Sequence, residues 1–180
     1  MKYNEYLYSN WETREQTRDE NEIGNYLLQN YQSELSKHPY ILHVGIGSNK
    51  LYNQLKSEHL CYYTGLTYTI LEYEQVLPLL GCSYKPILIN KYNPILSDIL
   101  KTYDFIIDNN IASYADSDTD ALNYFKTILH SLKPNGKLLT HQLGLDYRRP
   151  VKVDDMLKEL ELEKEFSVKS SNGVVIIQKI

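Results

Sequence analysis

The chain has 180 residues, 42% hydrophobic and 23% charged, and its 19 Lys and Arg against 23 Asp and Glu give a net charge of −4. That length suits one domain with its own core, and the mixture excludes a disordered or fibrous chain. The acidic balance offers no broad cationic surface for phosphates, which argues against nucleic acid as a partner.

No apolar run approaches the roughly 18 residues that a bilayer span needs, so no membrane partner is expected. Met1 to Glu20 is polar and tyrosine-rich, without the apolar stretch of a signal peptide. Cys61 and Cys82 lack metal-ligand spacing and read as reduced, buried thiols, which points to the cytoplasm. The 17 Tyr against 3 Phe fit either an aromatic pocket that faces a flat or cationic ligand, or simply an AT-rich coding sequence.

Residues 1–38 read as a helical segment of the same domain that residues 39–180 build. Ile23, Leu27 and Tyr31 recur at four-residue steps with Leu28 and Leu35 close to the stripe, as in a helix laid on a core. Trp11, with Tyr3, Tyr6 and Tyr8, is a candidate for the substrate cleft as an aromatic lid, or else packs the helix. Arg14 and Arg18 lie on a polar face. His38-Pro39 stops the helix, because the residue before proline is pushed out of the α region.

From Pro39 onward, short apolar runs alternate with helical stretches. The strands predicted are Tyr40–Val44, Cys61–Leu66, Pro86–Ile89, Tyr103–Ile107 and Lys137–His141. The helices between them are Asn49–Ser57, Thr69–Leu80, Pro94–Lys101 and Asp118–Leu132. Runs such as YDFIID lack strict alternation, as strands covered on both faces do. Lys133-Pro134-Asn135-Gly136 reads as the turn into the fifth strand. A last helix, Asp154–Leu162, precedes strand-like Lys164–Lys169 and Val174–Lys179, joined by an Asn-Gly turn that signals a hairpin. The fold class is therefore α/β: a Rossmann-like, seven-stranded, mostly parallel sheet, with an antiparallel C-terminal hairpin strand and helices on both faces.

The segment ILHVGIGSNKL carries the chemistry. A strand runs into Gly45-Ile46-Gly47-Ser48 and then into a helix, so the backbone can turn tightly and a ligand can approach it at the first crossover. The dinucleotide fingerprint fails twice: Lys50 stands where its third glycine belongs, and Thr67 where an acid should end the second strand.

The pattern instead resembles the class I S-adenosylmethionine-dependent methyltransferases over residues 39–180. ILHVGIGSNKL is similar to their first motif, YYTGLTYTILEYEQVL to their second strand and next helix, YDFIIDNNIASY to their fourth-strand motif, and ALNYFKTILHSLKPNGKLLTHQ to the helix, turn and fifth strand. The resemblance implies that Gly45, Ile46, Gly47 and Ser48 cradle the methionine part of S-adenosylmethionine. It sets Thr67 and Tyr68 beside the ribose, Asn90 and Tyr92 beside the adenine, and Asp108, Asn109 and Asn110 along the cleft between cofactor and substrate. His43, Thr67 and Asn90 stand where the family usually has acids.

His141 follows the fifth strand at the edge where the cleft opens, and histidine titrates near neutrality, so it is the candidate general base. No histidine has a companion at metal-ligand spacing, and no metal is expected. DNNI at Asp108–Ile111 lacks the prolines of the amino-methylating nucleic-acid enzymes of this fold, which favours a small-molecule substrate. The implied function is O- or N-methylation of a small molecule by in-line methyl transfer, with S-adenosylhomocysteine as product. The alternatives are a catalytically silent binding partner and an S-adenosylmethionine-binding enzyme of another reaction. Assembly as a homodimer stays open.

Overall fold

The change of texture at Pro39 marks the start of a sheet, seen in a computed structural model that describes residues 16–57, 59–81 and 83–180. Ahead of it, α1 (Arg18–Asn30) and the single turn α2 (Gln32–Leu35) carry the apolar stripe. Ile23, Leu27 and Leu35 are fully buried, with Leu28 and Tyr31 half-buried against the same core. Each such aliphatic side chain contributes roughly 1.5–3 kcal/mol by leaving water. The sequence-predicted Trp11, with Tyr3, Tyr6, Tyr8 and Arg14, lies outside the described residues.

Five strands run parallel: β1 (Tyr40–Val44), β2 (Tyr62–Thr67), β3 (Tyr84–Leu88), β4 (Tyr103–Asp108) and β5 (Leu132–His141). The chain then adds β6 (Phe166–Ser171) and β7 (Val174–Lys179), and β7 lies antiparallel to both β5 and β6. The order across the sheet is β3-β2-β1-β4-β5-β7-β6. This is the mixed seven-stranded sheet expected. Because β1 has β2 on one side and β4 on the other, a crevice opens at their carboxyl ends, the place where ligands bind in open α/β sheets.

The sheet is buried on both faces. Ile41 of β1, Phe105 and Ile107 of β4 and Leu139 of β5 pack with α1, α2 and α3 (Lys50–Lys56). Leu42 and Val44, with Ile106 and Leu138, pack on α6 (Asp118–His130) and α8 (Val153–Glu159). The short helices α4 (Ile70–Val76), α5 (Leu96–Ile99) and α7 (Gln142–Leu145) complete the crossovers.

Several boundaries differ from the sequence expectation, each for a local reason. The helix expected over 69–80 ends at Val76 and tightens into a 3-10 turn, Leu77–Leu79, because Pro78 has no N–H with which to continue an α-helix. The helix expected from Pro94 contracts to α5, and α6 stops at His130. β3 begins at Tyr84 and β6 at Phe166. The turn Lys133-Pro134-Asn135-Gly136 lies inside β5: Leu132 already pairs with Tyr103, and pairing resumes at Lys137 opposite Phe105. Asn135 takes a left-handed φ of 63° in that bulge. The Asn172-Gly173 turn has φ of 50° and 83°, the paired positive angles of a tight hairpin.

Candidate functional site

At the end of β1 the chain turns on Gly45, whose φ is 75° and whose N–H donates to Leu66 O at 2.8 Å. A Cβ added to Gly45 would meet no atom within 4 Å, so the loop leaves open space at that point. Gly47 also has positive φ, at 49°. Ile46 is fully buried, so any contact it offers a ligand comes from its backbone. Ser48 Oγ is buried and has no hydrogen-bond partner among the described residues. The helix that follows, α3, has 7 residues, and Asn49 before it turns its side-chain oxygen to the Tyr84 hydroxyl at 3.0 Å.

The end of β2 holds a carboxylate that the sequence reading missed. Thr67 is buried, and its hydroxyl donates to Glu72, itself buried in the first turn of α4, while accepting from Thr69 N at 3.2 Å. Thr69 caps α4 by accepting from Glu72 N at 3.3 Å. An acid is thus delivered to Thr67 from five residues further along the chain. The signal was legible: Thr69-Ile70-Leu71-Glu72 has the spacing of a capping box, which brings the glutamate back to the helix start. Tyr68 is exposed beside it.

The loops after β3 and β4 meet at a buried ion pair. Asn90 Oδ1 accepts from Tyr92 N at 2.9 Å and bends the chain so that Lys91 turns inward. Lys91 Nζ lies 3.2 and 2.9 Å from the two oxygens of Asp108 and also donates to Asn110 O. Tyr124 of α6 donates to Asp108 at 2.5 Å, and Asn110 N at 2.8 Å. The Lys91 ammonium sits 4.9 and 5.3 Å from the Tyr124 and Tyr92 ring centroids. Burial pulls the Lys91 pKa down, opposed by Asp108, and pushes the Tyr124 hydroxyl well up. Asp108 is therefore fully engaged within the protein. The sequence reading gave Asp108 a place in the cleft and overlooked Lys91, although β3 and β4 are separated by two strands and only a loop crossing them could join the pair.

Next to that pair, Asn109 Oδ1 is buried without a hydrogen-bond partner among the described residues. Its backbone carbonyl packs on Gly144 of α7 so closely that a Cβ there would fall 1.5 Å from it. Ser113 Oγ donates to Gly144 O at 3.1 Å and holds the same contact. Tyr92 donates to Ile111 O at 3.0 Å, so its hydroxyl braces the β4 loop.

Two histidines on the α1 face of the sheet meet carboxylates of α1. His141 Nδ1 accepts from Leu143 N at 3.2 Å, which sets the proton on Nε2, and Nε2 lies 2.7 Å from Glu22. Both ring nitrogens are engaged while α1 is docked, and the side chain is 4% exposed. The Glu22 carboxyl is held below its usual range by Arg18 first and His141 second, so Arg18 is paired within its own helix. His43, fully buried, lies 2.8 Å from the Tyr63 hydroxyl through Nδ1 and 3.8 Å from Glu20 through Nε2. Burial lowers its pKa to about 4, opposed by Asp108, and it is neutral at physiological pH. Cys61 is likewise inert, its thiol pushed up to about 11 by burial. Among the described residues no three His, Cys, Asp or Glu side chains gather as metal ligands.

No family sequence model matches the chain, and no curated protein matches it in sequence. Solved structures do match in fold. The N-methyltransferase NodS of Bradyrhizobium japonicum WM9 superposes with a TM-score of 0.62 at 11% identity, over 88% of this chain and 93% of that one. NodS has also been solved with S-adenosyl-L-homocysteine. A Staphylococcus aureus protein, provisionally described as a caffeoyl-CoA O-methyltransferase, superposes with a TM-score of 0.63 at 18% identity, over 98% and 90% of the two chains. MycE of the mycinamycin biosynthetic pathway, solved with Mg and S-adenosylhomocysteine, gives 0.57 at 12% identity, over 91% of this chain and 49% of that one. At such identities the likeness establishes the fold, that of the class I methyltransferases.

Proposed function

We propose that the protein is an S-adenosylmethionine-dependent methyltransferase that acts on a small molecule and releases S-adenosylhomocysteine. The observation that carries this reading is the open cradle at Gly45, with buried, unpartnered Ser48 Oγ and Asn109 Oδ1 on the loops of neighbouring strands. Buried polar atoms seldom go without partners, and a polar ligand in the crevice would supply them.

Gly45, Ile46, Gly47 and Ser48 would hold the methionine part of the cofactor through backbone groups and the Ser48 hydroxyl. Thr67 and Tyr68 would border the ribose, with Glu72 supplying the carboxylate that position 67 lacks. Asn90 and Tyr92 would border the adenine, and Asn109 and Asn110 the cleft. Asp108 acts through others, fixing the Lys91 ammonium and the Asn110 backbone. When bound, S-adenosylmethionine supplies an electrophilic methyl group to an acceptor oxygen or nitrogen aligned behind it. The residues of the chain align the partners and exclude water. His141 can take the acceptor's proton at Nε2 only if Glu22 releases that nitrogen and the ring proton moves to Nδ1, which must then give up its bond from Leu143 N, so the docking of α1 decides its role. The net charge of −4 and the proline-free Asp108–Ile111 segment support a small acceptor over nucleic acid, in a cytoplasmic protein. Among the described residues no helix is long and apolar enough to cross a membrane.

One observation favours the silent-partner reading: Asp108, the carboxylate at the end of β4, is taken up by Lys91 and Tyr124 inside the protein and does not face a cationic sulfonium. Calorimetric titration with S-adenosylmethionine and S-adenosylhomocysteine separates the two. The methyltransferase reading expects micromolar or tighter binding that Gly47→Arg abolishes by filling the loop. A folded wild-type protein that binds neither leaves the silent partner.

A further inference from the structure

Consecutive arginines in the segment between α7 and α8 have opposite fates. Arg149 is neutralised: it donates to Asp118 at the start of α6 and, at 3.2 Å, to Ala115 O. Arg148 is not, for among the described residues no carboxylate lies within 4.0 Å of its guanidinium. It is held by aromatic rings instead. Its Nε donates to the Tyr147 hydroxyl at 3.0 Å, and its Cζ lies 4.8 Å from the Tyr114 centroid and 5.3 Å from that of Tyr147. The two rings stand 6.3 Å apart at 62°, exposed by 39% and 45%. Arg148 adopts a left-handed φ of 58°, which a residue with a side chain rarely does and which places the guanidinium back over the rings.

This group adjoins the crevice. Tyr114 N donates to the Tyr92 hydroxyl at 3.4 Å, the same hydroxyl that braces the loop after β4. On the other side, Ser113 is bonded to Gly144, which packs on Asn109. Arg149 then clamps the two loops together through Ala115 and Asp118. Tyr114, Tyr147 and Arg148 thus form a rim on the cleft floor, fixed from beneath.

The geometry points to Tyr114, Tyr147 and Arg148 as the acceptor-recognition platform, selecting a planar aromatic molecule that carries a carboxylate. With Nε directed to Tyr147, the terminal amino edge of Arg148 remains, and two parallel N–H groups match the two oxygens of a carboxylate. The partly exposed tyrosine rings take a flat ring edge-on or offset. This platform names the substrate class of the methyltransferase proposed above and rests on that reading only for its catalytic meaning.

The test is calorimetric titration of the full chain, with and without S-adenosylhomocysteine, using 4-hydroxybenzoate and its neutral isostere 4-hydroxybenzamide as probes. The carboxylate is expected to bind at least tenfold more tightly than the amide. Arg148→Gln should remove that preference, and Tyr114→Leu should weaken both probes severalfold, while both variants keep the wild-type melting temperature and S-adenosylhomocysteine affinity. Equal binding of the two probes, or a preference that survives Arg148→Gln, overturns the platform. So does a protein that binds S-adenosylhomocysteine and, at millimolar concentration, neither probe; the methyltransferase reading then stands. Binding of the carboxylate by a chain that ignores S-adenosylhomocysteine has the opposite meaning.

Discussion

Three buried ionisable side chains at the crevice, His43, Lys91 and Asp108, answer to different physics. For His43 burial outweighs the carboxylates nearby, Glu20 at 3.8 Å among them, and its pKa falls from 6.5 to about 4. Between those values the unfolded chain takes up the proton more readily than the folded one. The stability of the neutral ring is therefore full above about pH 6.5 and is lost as pH falls towards 4, on the order of 3 kcal/mol. Urea unfolding of the wild type at pH 7.5 and pH 5 should show about 2 kcal/mol of this loss, and His43→Gln, which keeps a partner for Tyr63, should flatten it. Equal pH slopes in the two proteins would place the acid sensitivity elsewhere. Lys91 and Asp108 are buried as a pair, and each is tolerated because of the other. Lys91→Met should cost about 3–5 kcal/mol by leaving a carboxylate without its cation. Adding Asp108→Asn should recover most of it. A single variant as stable as the wild type would mean that water reaches the pair.

Among the elements, α1 stands out, because it is tied to the sheet by apolar and polar contacts together. Ile23 and Leu27 enter the core between α1 and the sheet, while Glu20 and Glu22 reach His43 and His141 at the carboxyl ends of β1 and β5. Leu27→Ala should cost about 2–5 kcal/mol and speed amide hydrogen exchange in α1 ahead of the central strands. Uniform acceleration across the sheet would instead mean that α1 and the sheet open as one unit. On the other side of the crevice, α7 is positioned by a single missing side chain. Gly144→Ala would drive a Cβ into Asn109 O. The floor of the cleft must then shift, and S-adenosylhomocysteine affinity should fall at least tenfold in calorimetry, well beyond any change in helicity.

At the scale of the whole molecule, the strand order collects the ligand-facing loops at one edge, while the antiparallel β6–β7 pair closes the other flank of the sheet. A ligand that bridges the loops after β1, β2 and β4 binds only the folded chain. S-adenosylhomocysteine at a hundred times its dissociation constant should then stabilise the fold by about 2.7 kcal/mol. For a chain of this size that corresponds to a rise of about 5–10 °C in melting temperature. No shift at that concentration would remove the cofactor from the reading.

Much of this was written locally. Alternating apolar runs located every strand, and Gly45, Gly47 and the Asn172-Gly173 turn announced left-handed backbone, because strand burial and positive φ are properties of a few adjacent residues. The Thr69-to-Glu72 capping spacing was equally local, and only its consequence for Thr67 was not. What tertiary structure alone decided were the partners of charge. Lys91 and Asp108 lie 17 residues apart, and Glu22 and His141 lie 119 apart. Whether His141 points to a substrate or to α1, and whether Asp108 is open or engaged, depends on how whole elements pack over the strand ends. No periodicity encodes that, since the energy of a buried charge is set by what the fold brings within a few ångströms of it.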